Sequence, residues 1–239
     1  QDQGVRELVM VAQETTAYGM DRGERNGLSR LVHRLTQTVP DVPWLRLLYT
    51  HPSTVTPQLI ETWATHPQVV RYLDMPLQHA HPDVLRRMGR PHDVERMRRL
   101  IDDLRSALPG LALRTTFIAG YPAESEAEFQ ALLDFMSGVR FDHVGVFTFS
   151  QEEDTAAADL AGQIPMRVKR ERRQRAMLLQ QGISLEKNKE WVGKTLTVLV
   201  EGRAEQEAAR TLEGRRNRPL LVGRSYRHAP EIDGLVLAW

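Results

Sequence analysis

From residue 5 to about residue 150, short apolar runs alternate with amphipathic stretches, and this alternation constrains the fold more than any other feature of the chain. Strands are expected over residues 7–11, 44–49, 69–73, 111–118 and 143–149, with helices over 28–38, 57–65, 94–107 and 126–138. In the third helix Met97, Leu100, Ile101, Leu104 and Leu108 recur at three- and four-residue steps, the signature of one buried stripe. Ser125 followed by Glu128 reads as a capping box, and Asp93 as a plainer N-cap before Val94. Strand–helix–strand units of this length require parallel neighbours and right-handed crossovers. The class is therefore α/β, either an open doubly wound sheet or part of a βα barrel. Both put their ligands at the carboxyl ends of the strands.

The pattern changes after Ser150. A polar, Ala-rich loop leads into a long helix over 167–191, with Pro165 near its start and Gly182 inside it. Strand-like runs follow at 196–200, 219–222 and 235–238, separated by Gly- and Arg-rich segments. Three strands make a small, incomplete β domain.

Composition excludes several chemistries. With Cys 0, the chain holds no disulfide and no thiolate metal site. A net charge of +1 gives no global field toward nucleic acid. Basic residues do crowd one stretch (Arg167, Lys169, Arg170, Arg172, Arg173, Arg175) and a smaller one (Arg215, Arg216, Arg218). Glu171 within the first suggests a solvated helix face with Glu–Arg pairs; a contact surface for an RNA-rich partner is the alternative. The apolar runs are strand-sized, short of the ~20 residues of a membrane span. No G-x-G-x-x-G follows a strand, and no G-x-S-x-G elbow or P-loop Lys is present. His51, His79 and His81 lack an acidic partner at helical spacing, which argues against zinc. No catalytic acid or base and no metal ligand is identified. The chain opens on Gln1 rather than Met and ends in an apolar run, so both ends read as cut.

The segments after the strands carry the remaining signal. They read Gln13-Glu14-Thr15-Thr16-Ala17-Tyr18-Gly19, Tyr49-Thr50-His51-Pro52, Asp74-Met75-Pro76-Leu77-Gln78-His79-Ala80, Met88-Gly89-Arg90, Arg114-Thr115-Thr116 into Gly120-Tyr121-Pro122, and Val144-Gly145-Val146-Phe147. Singly, each is a turn and a helix start. In this order they resemble the radical S-adenosylmethionine methylthiotransferases, and more closely the RimO-type branch that modifies a ribosomal protein. His79-Ala80-His81 and Glu152-Glu153-Asp154-Thr155 set the chain apart from the transfer-RNA-modifying branch. Val192-Gly193-Lys194-Thr195-Leu196, Gly223-Arg224-Ser225 and Ala229-Pro230-Glu231-Ile232-Asp233-Gly234 are similar to a TRAM domain.

The resemblance implies a partial (βα) barrel of the radical-SAM type over residues 1–178, lacking its first βα unit, then an incomplete TRAM-like β-barrel over 179–239. It implies S-adenosyl-L-methionine as cofactor, with two 4Fe–4S clusters in the complete enzyme whose Cys ligands lie outside this chain. The implied reaction adds a methylthio group to the β-carbon of an aspartate in the twelfth small-subunit ribosomal protein, in the cytoplasm. That protein is the implied partner, with an electron donor and a ribosomal RNA contact through the TRAM domain. By position, Gln13 and Thr15 meet the methionine end of the cofactor, Gln78 and His79 its ribose or carboxylate, and Arg114 its carboxylate. Gly120 and Glu124 belong to the loop approaching the adenosyl group. Phe147 and Phe149 flank the adenine, core packing being the alternative for both. The chain departs from the family in Glu14, where Asp is usual, and Ala123, where Gly is usual. Alone, this segment is expected to bind no iron and show no turnover. Two other readings stay open: a transfer-RNA (adenosine) methylthiotransferase of the MiaB type, and a cluster-free ribosome- or RNA-binding homologue.

Overall fold

The computed structural model describes residues 4–204 and 220–239. The cluster of Arg215, Arg216 and Arg218 and the start of the run at 219 lie outside the described residues.

Five parallel strands fall in two adjoining sheets, β1 (Glu7–Met10) with β2 (Trp44–Leu47), and β3 (Tyr72–Asp74) with β4 (Ala112–Ala119) and β5 (His143–Thr148). β1 pairs with β2, β3 with β4 and β4 with β5, while the bridge Leu45↔Val69 carries the sheet from β2 toward β3. Spatial order follows chain order without reversal. A doubly wound sheet needs a reversal at its switch point, so that alternative is dropped in favour of the partial barrel.

Alternation along the strands separates two environments. Leu45, Leu47, Leu73, Leu113, Phe117, Val144 and Val146 join the main core with residues of the surrounding helices. These are α1 (Gly27–Thr38), α2 (Pro57–Thr65), α3 (Pro82–Arg87), α4 (Val94–Ala107), α5 (Glu126–Val139) and α6 (Met166–Lys189). The other set (Glu7, Arg46, Tyr72, Asp74, Arg114, Thr116, His143) makes a polar barrel interior. Local sequence fixes the helix starts. Asp93 accepts from the Arg96 amide at 2.8 Å, and Ser125 and Glu128 complete both bonds of the capping box. The stripe read on α4 is buried at Met97, Ile101 and Leu104.

Three expectations need correction. β3 begins at Tyr72, because Val69 makes only a single bridge. α3 was not expected, since His81-Pro82 reads equally as a turn; His81 in fact caps this helix by accepting from the Asp83 amide, with Pro82 at its first position. The basic stretch on α6 is a solvated face only in part, since Lys169 and Arg172 are buried. Lys169 Nζ donates to the Phe149 carbonyl at 2.9 Å, Arg172 to Glu124, and Arg173 Nε to the Val146 carbonyl at 2.9 Å. Arg170 remains exposed, and Arg167 pairs with Glu171 at 3.8 Å. α6 thus anchors to the open side of β5, running unbroken through residue 178.

The C-terminal sheet is antiparallel: β6 (Val198–Arg203), β7 (Leu221–Ser225) and β8 (Val236–Ala238), with an irregularity between Val200 and Gly202. It docks on the end of the barrel where the strands begin. Glu7 receives Arg46 Nε at 2.6 Å and Arg224 Nη2 at 2.7 Å, while Arg46 Nη1 donates to the Tyr226 carbonyl. Arg227 Nη2 donates to Asp142, which also accepts the Leu113 amide. Ala229 enters a cluster with Leu48, Val70, Tyr72 and Ala112. The loop 229–234 then continues up inside the half-barrel.

Candidate cofactor-binding cavity

At the opposite end, where the strands finish, a cavity of about 650 Å³ is lined by Gln13, Glu14, Tyr49, Thr50, His51, Pro76, Gln78, Arg90, Arg114, Thr116, Phe147 and Ile232. Asp74, the last residue of β3, organises its floor. Its side chain accepts from Arg114 Nη1 at 2.7 Å and from the Tyr49 amide at 3.2 Å, and its carbonyl accepts both the amide and the hydroxyl of Thr50. Tyr49 is thereby held at φ 57, a left-handed conformation that costs a non-glycine residue about 1–2 kcal/mol. Gln78 is held likewise at φ 70 by the bonds from its amide to the Thr116 carbonyl and from the Ile118 amide to its own carbonyl.

Arg114, on β4 opposite Asp74, is a largely buried cation in this lining. Burial opposes its charge, but Asp74, with Tyr72 and Asp233, more than offsets this and raises its pKa. Asp74 grips Nη1 and Asp233 lies 3.6 Å from Nε; Nη2 carries no hydrogen bond within the described residues. Gly145, in the lining of the adjoining cavity, leaves that side of Nη2 bare; a Cβ there would sit in ordinary contact, 3.6 Å from Nη2 and 3.4 Å from the Phe147 ring. Phe147 is 60% exposed, an apolar face displayed to the cavity. A guanidinium with a free donor, a bare aromatic face and the side-chain amides of Gln13 and Gln78 suit a ligand with a carboxylate at one end and an aromatic base at the other.

Of the eight residues expected to bind cofactor, Gln13, Gln78, Arg114 and Phe147 line this cavity and four stand outside its lining. Thr15 is buried, its hydroxyl donating to the Leu48 carbonyl at 2.5 Å and its amide to the Tyr49 carbonyl. His79 is fully buried; Nδ1 accepts the His81 amide, so Nε2 carries the proton and donates to Glu124 at 3.2 Å. Glu124 also accepts the Gly120 amide and Arg172 Nη1. Gly120 sits at φ +79 with Lys169 so close that a Cβ would collide with it. These residues hold the loop after β4 against α6. Phe149, weighed with Phe147, packs instead against Tyr121 and beneath Lys169.

The sequence reading did not name the other lining residues, Glu14, Tyr49, Thr50, His51, Pro76, Arg90, Thr116 and Ile232, as site residues, nor Asp74 behind them. Asp74 and Thr116 lay within quoted loops, where strand alternation marks them as inward. Ile232 had no local signal, because only the docking of the C-terminal domain brings it here. A second cavity of about 840 Å³ adjoins the first, sharing Arg114 and Ile232 and running between β5, α6 and the 232–234 loop. Among the described residues no helix is long and apolar enough to cross a membrane.

Comparison with known proteins adds independent findings. The profile of the radical SAM superfamily matches residues 1–136, and that of the TRAM domain residues 192–238. The ribosomal protein uS12 methylthiotransferase RimO of Roseiflexus sp. (strain RS-1) is 52% identical over 238 residues, covering 100% of this chain and 49% of that protein. The enzyme of the same name from Moorella thermoacetica is 49% identical, covering 98% of this chain and 50% of that protein. The chain spans about half the length of the curated relatives it matches. Among solved structures, the radical SAM enzyme coproporphyrinogen III oxidase (HemN) from Escherichia coli superposes with a TM-score of 0.55 at 14% identity, over 75% of this chain and 49% of that one. That likeness concerns the fold alone.

Proposed function

The chain belongs to the radical SAM superfamily, and from that premise we propose that it is the cofactor cradle and substrate-docking part of a methylthiotransferase acting on an aspartate β-carbon of the ribosomal protein uS12. What carries this reading is a carboxylate-ready Arg114 beside a bare aromatic ring in one cavity, in a chain about half identical to enzymes of that name. The division of labour follows residues 1–178 and 179–239, with α6 bridging the two.

S-adenosylmethionine supplies the radical chemistry when bound. Arg114 Nη2 takes its carboxylate, Gln13 and Gln78 its polar groups, and Phe147 its adenine. Thr15, His79, Gly120 and Glu124 act behind the wall, fixing the loops that shape the cavity. The iron–sulfur clusters do not fit this chain, which has Cys 0 and offers no thiolate. The adjoining groove gives a segment of a macromolecule access to Arg114. The TRAM domain contacts ribosomal RNA around the substrate, an electron donor completes the system, and such a reaction belongs in the cytoplasm.

The test presents the reduced, reconstituted full-length gene product with uS12 and with transfer RNA in parallel. The reading expects a methylthio mass gain on one uS12 aspartate and none on RNA. Modification of RNA alone would replace it with the transfer-RNA reading.

A further inference from the structure

Asp233 is buried in the 229–234 loop of the C-terminal domain, yet it sits inside the barrel, and its two oxygens face different groups. Oδ2 accepts the Tyr72 hydroxyl at 2.6 Å and the Ala229 amide at 2.9 Å. These bonds hold the loop to the barrel and to itself. Oδ1 faces the other way, 3.6 Å from Arg114 Nε and 3.7 Å from His143 Nδ1. Neither contact is needed to close the loop.

Arg114 otherwise donates through Nη1 alone, to Asp74 at 2.7 Å and to the Thr116 hydroxyl at 3.3 Å. Both of those bonds sit at one end of the planar guanidinium; the Asp233 carboxylate on the Nε side draws the opposite edge electrostatically and so biases its tilt. With Nη1 hydrogen-bonded and Nε facing Asp233 at 3.6 Å, the remaining donor, Nη2, is left toward the space beside Gly145, where the two cavities that share Arg114 meet. Planar recognition of a carboxylate depends on that orientation.

We propose that Asp233 is a positioning residue for the cofactor site: the C-terminal domain sets the plane of Arg114 and so sets how well the cavity holds a ligand carboxylate. This rests on the reading of the cavity as an S-adenosylmethionine cradle. It gives the small domain a role in the site itself, beside substrate docking.

Asp233→Asn separates the two faces of the side chain. Its oxygen can keep the Tyr72 and Ala229 bonds, while its amide turns an N–H toward Arg114 Nε in place of an anion. The experiment measures binding of two probes to the cluster-reconstituted full-length gene product. S-adenosylhomocysteine carries the carboxylate; 5′-methylthioadenosine lacks it. In Asp233→Asn the affinity for the first should fall about ten-fold, with that for the second unchanged. Should this variant not fold, Asp233→Glu, which keeps the charge but displaces it, is expected to show the same carboxylate-selective loss. Tyr72→Phe, which touches Oδ2 alone, should lower Tm and leave both affinities within about two-fold. Equal loss of both probes would make Asp233 merely structural. No change, or tighter binding of S-adenosylhomocysteine as expected if Asp233 only competed for Arg114, would also overturn the proposal. Failure of the unmodified protein to bind either probe would instead overturn the cofactor reading beneath it.

Discussion

Ala123 and Gly120 sit close together on the loop after β4, and both have positive φ. Ala123, at φ 59, occupies a position where the resemblance leads one to expect Gly, and the structure supplies the physical cost of that departure. Ala123→Gly should therefore stabilise the protein by about 0.5–1 kcal/mol, relieved strain outweighing the extra freedom of the unfolded chain. Gly120→Ala has the opposite sign. It combines the same strain with displacement of Lys169, whose ammonium caps the Phe149 carbonyl, and should cost about 2 kcal/mol. Thermal denaturation of the two variants checks both signs. At this scale the sequence was partly legible. Inward-pointing Gln13 and Gln78 could be found from their places after strands, and Arg114 and Phe147 from alternation within β4 and β5. That Phe149 turns into the core was not readable, because β5 ends at Thr148 and its alternation stops there.

α5 shows how a local motif becomes an energetic one. Burial pushes the Glu128 carboxyl up, but bonds from Arg87 and the Ser125 amide outweigh it and hold its pKa at about 2. The folded value lies below the ordinary 4.5. This contribution is thus complete above pH 4.5 and is lost as pH falls toward 2. Glu128→Gln should lower stability by up to about 3 kcal/mol at neutral pH and flatten the acid limb of the Tm–pH curve. An acid limb unchanged from that of the parent would show that the capping box does not carry this effect. The capping box was visible as Ser125 and Glu128; its partner Arg87 was not, since it lies on α3, too short to announce itself by periodicity.

The whole molecule is a half-barrel closed at one end by a second domain and open for chemistry at the other. The succession of parallel strands and helices and the change of pattern after Ser150 were legible from alternation and its breakdown; the strand order was not, since alternation left a doubly wound sheet and a barrel both open. The docking was not, because it depends on Glu7, Arg46, Asp142, Arg224 and Arg227 meeting from distant segments. His228 lies in this interface. Burial first, then its neighbours His143, Arg227 and Arg46, against the opposing Asp233, push its pKa down to about 4. An imidazole neutral in the folded protein binds its proton more readily when unfolded. The interface should therefore lose stability as pH falls from 6.5 to 4. His228→Asn should remove that slope in a pH series of Tm. A slope of equal size in the variant would place its origin elsewhere.

The central claim, that the strand-end cavity cradles S-adenosylmethionine, is tested most directly by a crystal structure of the full-length protein with that ligand bound. Its carboxylate is expected within hydrogen-bond distance of Arg114 Nη2 and its adenine against Phe147. A ligand seated away from both residues would contradict it.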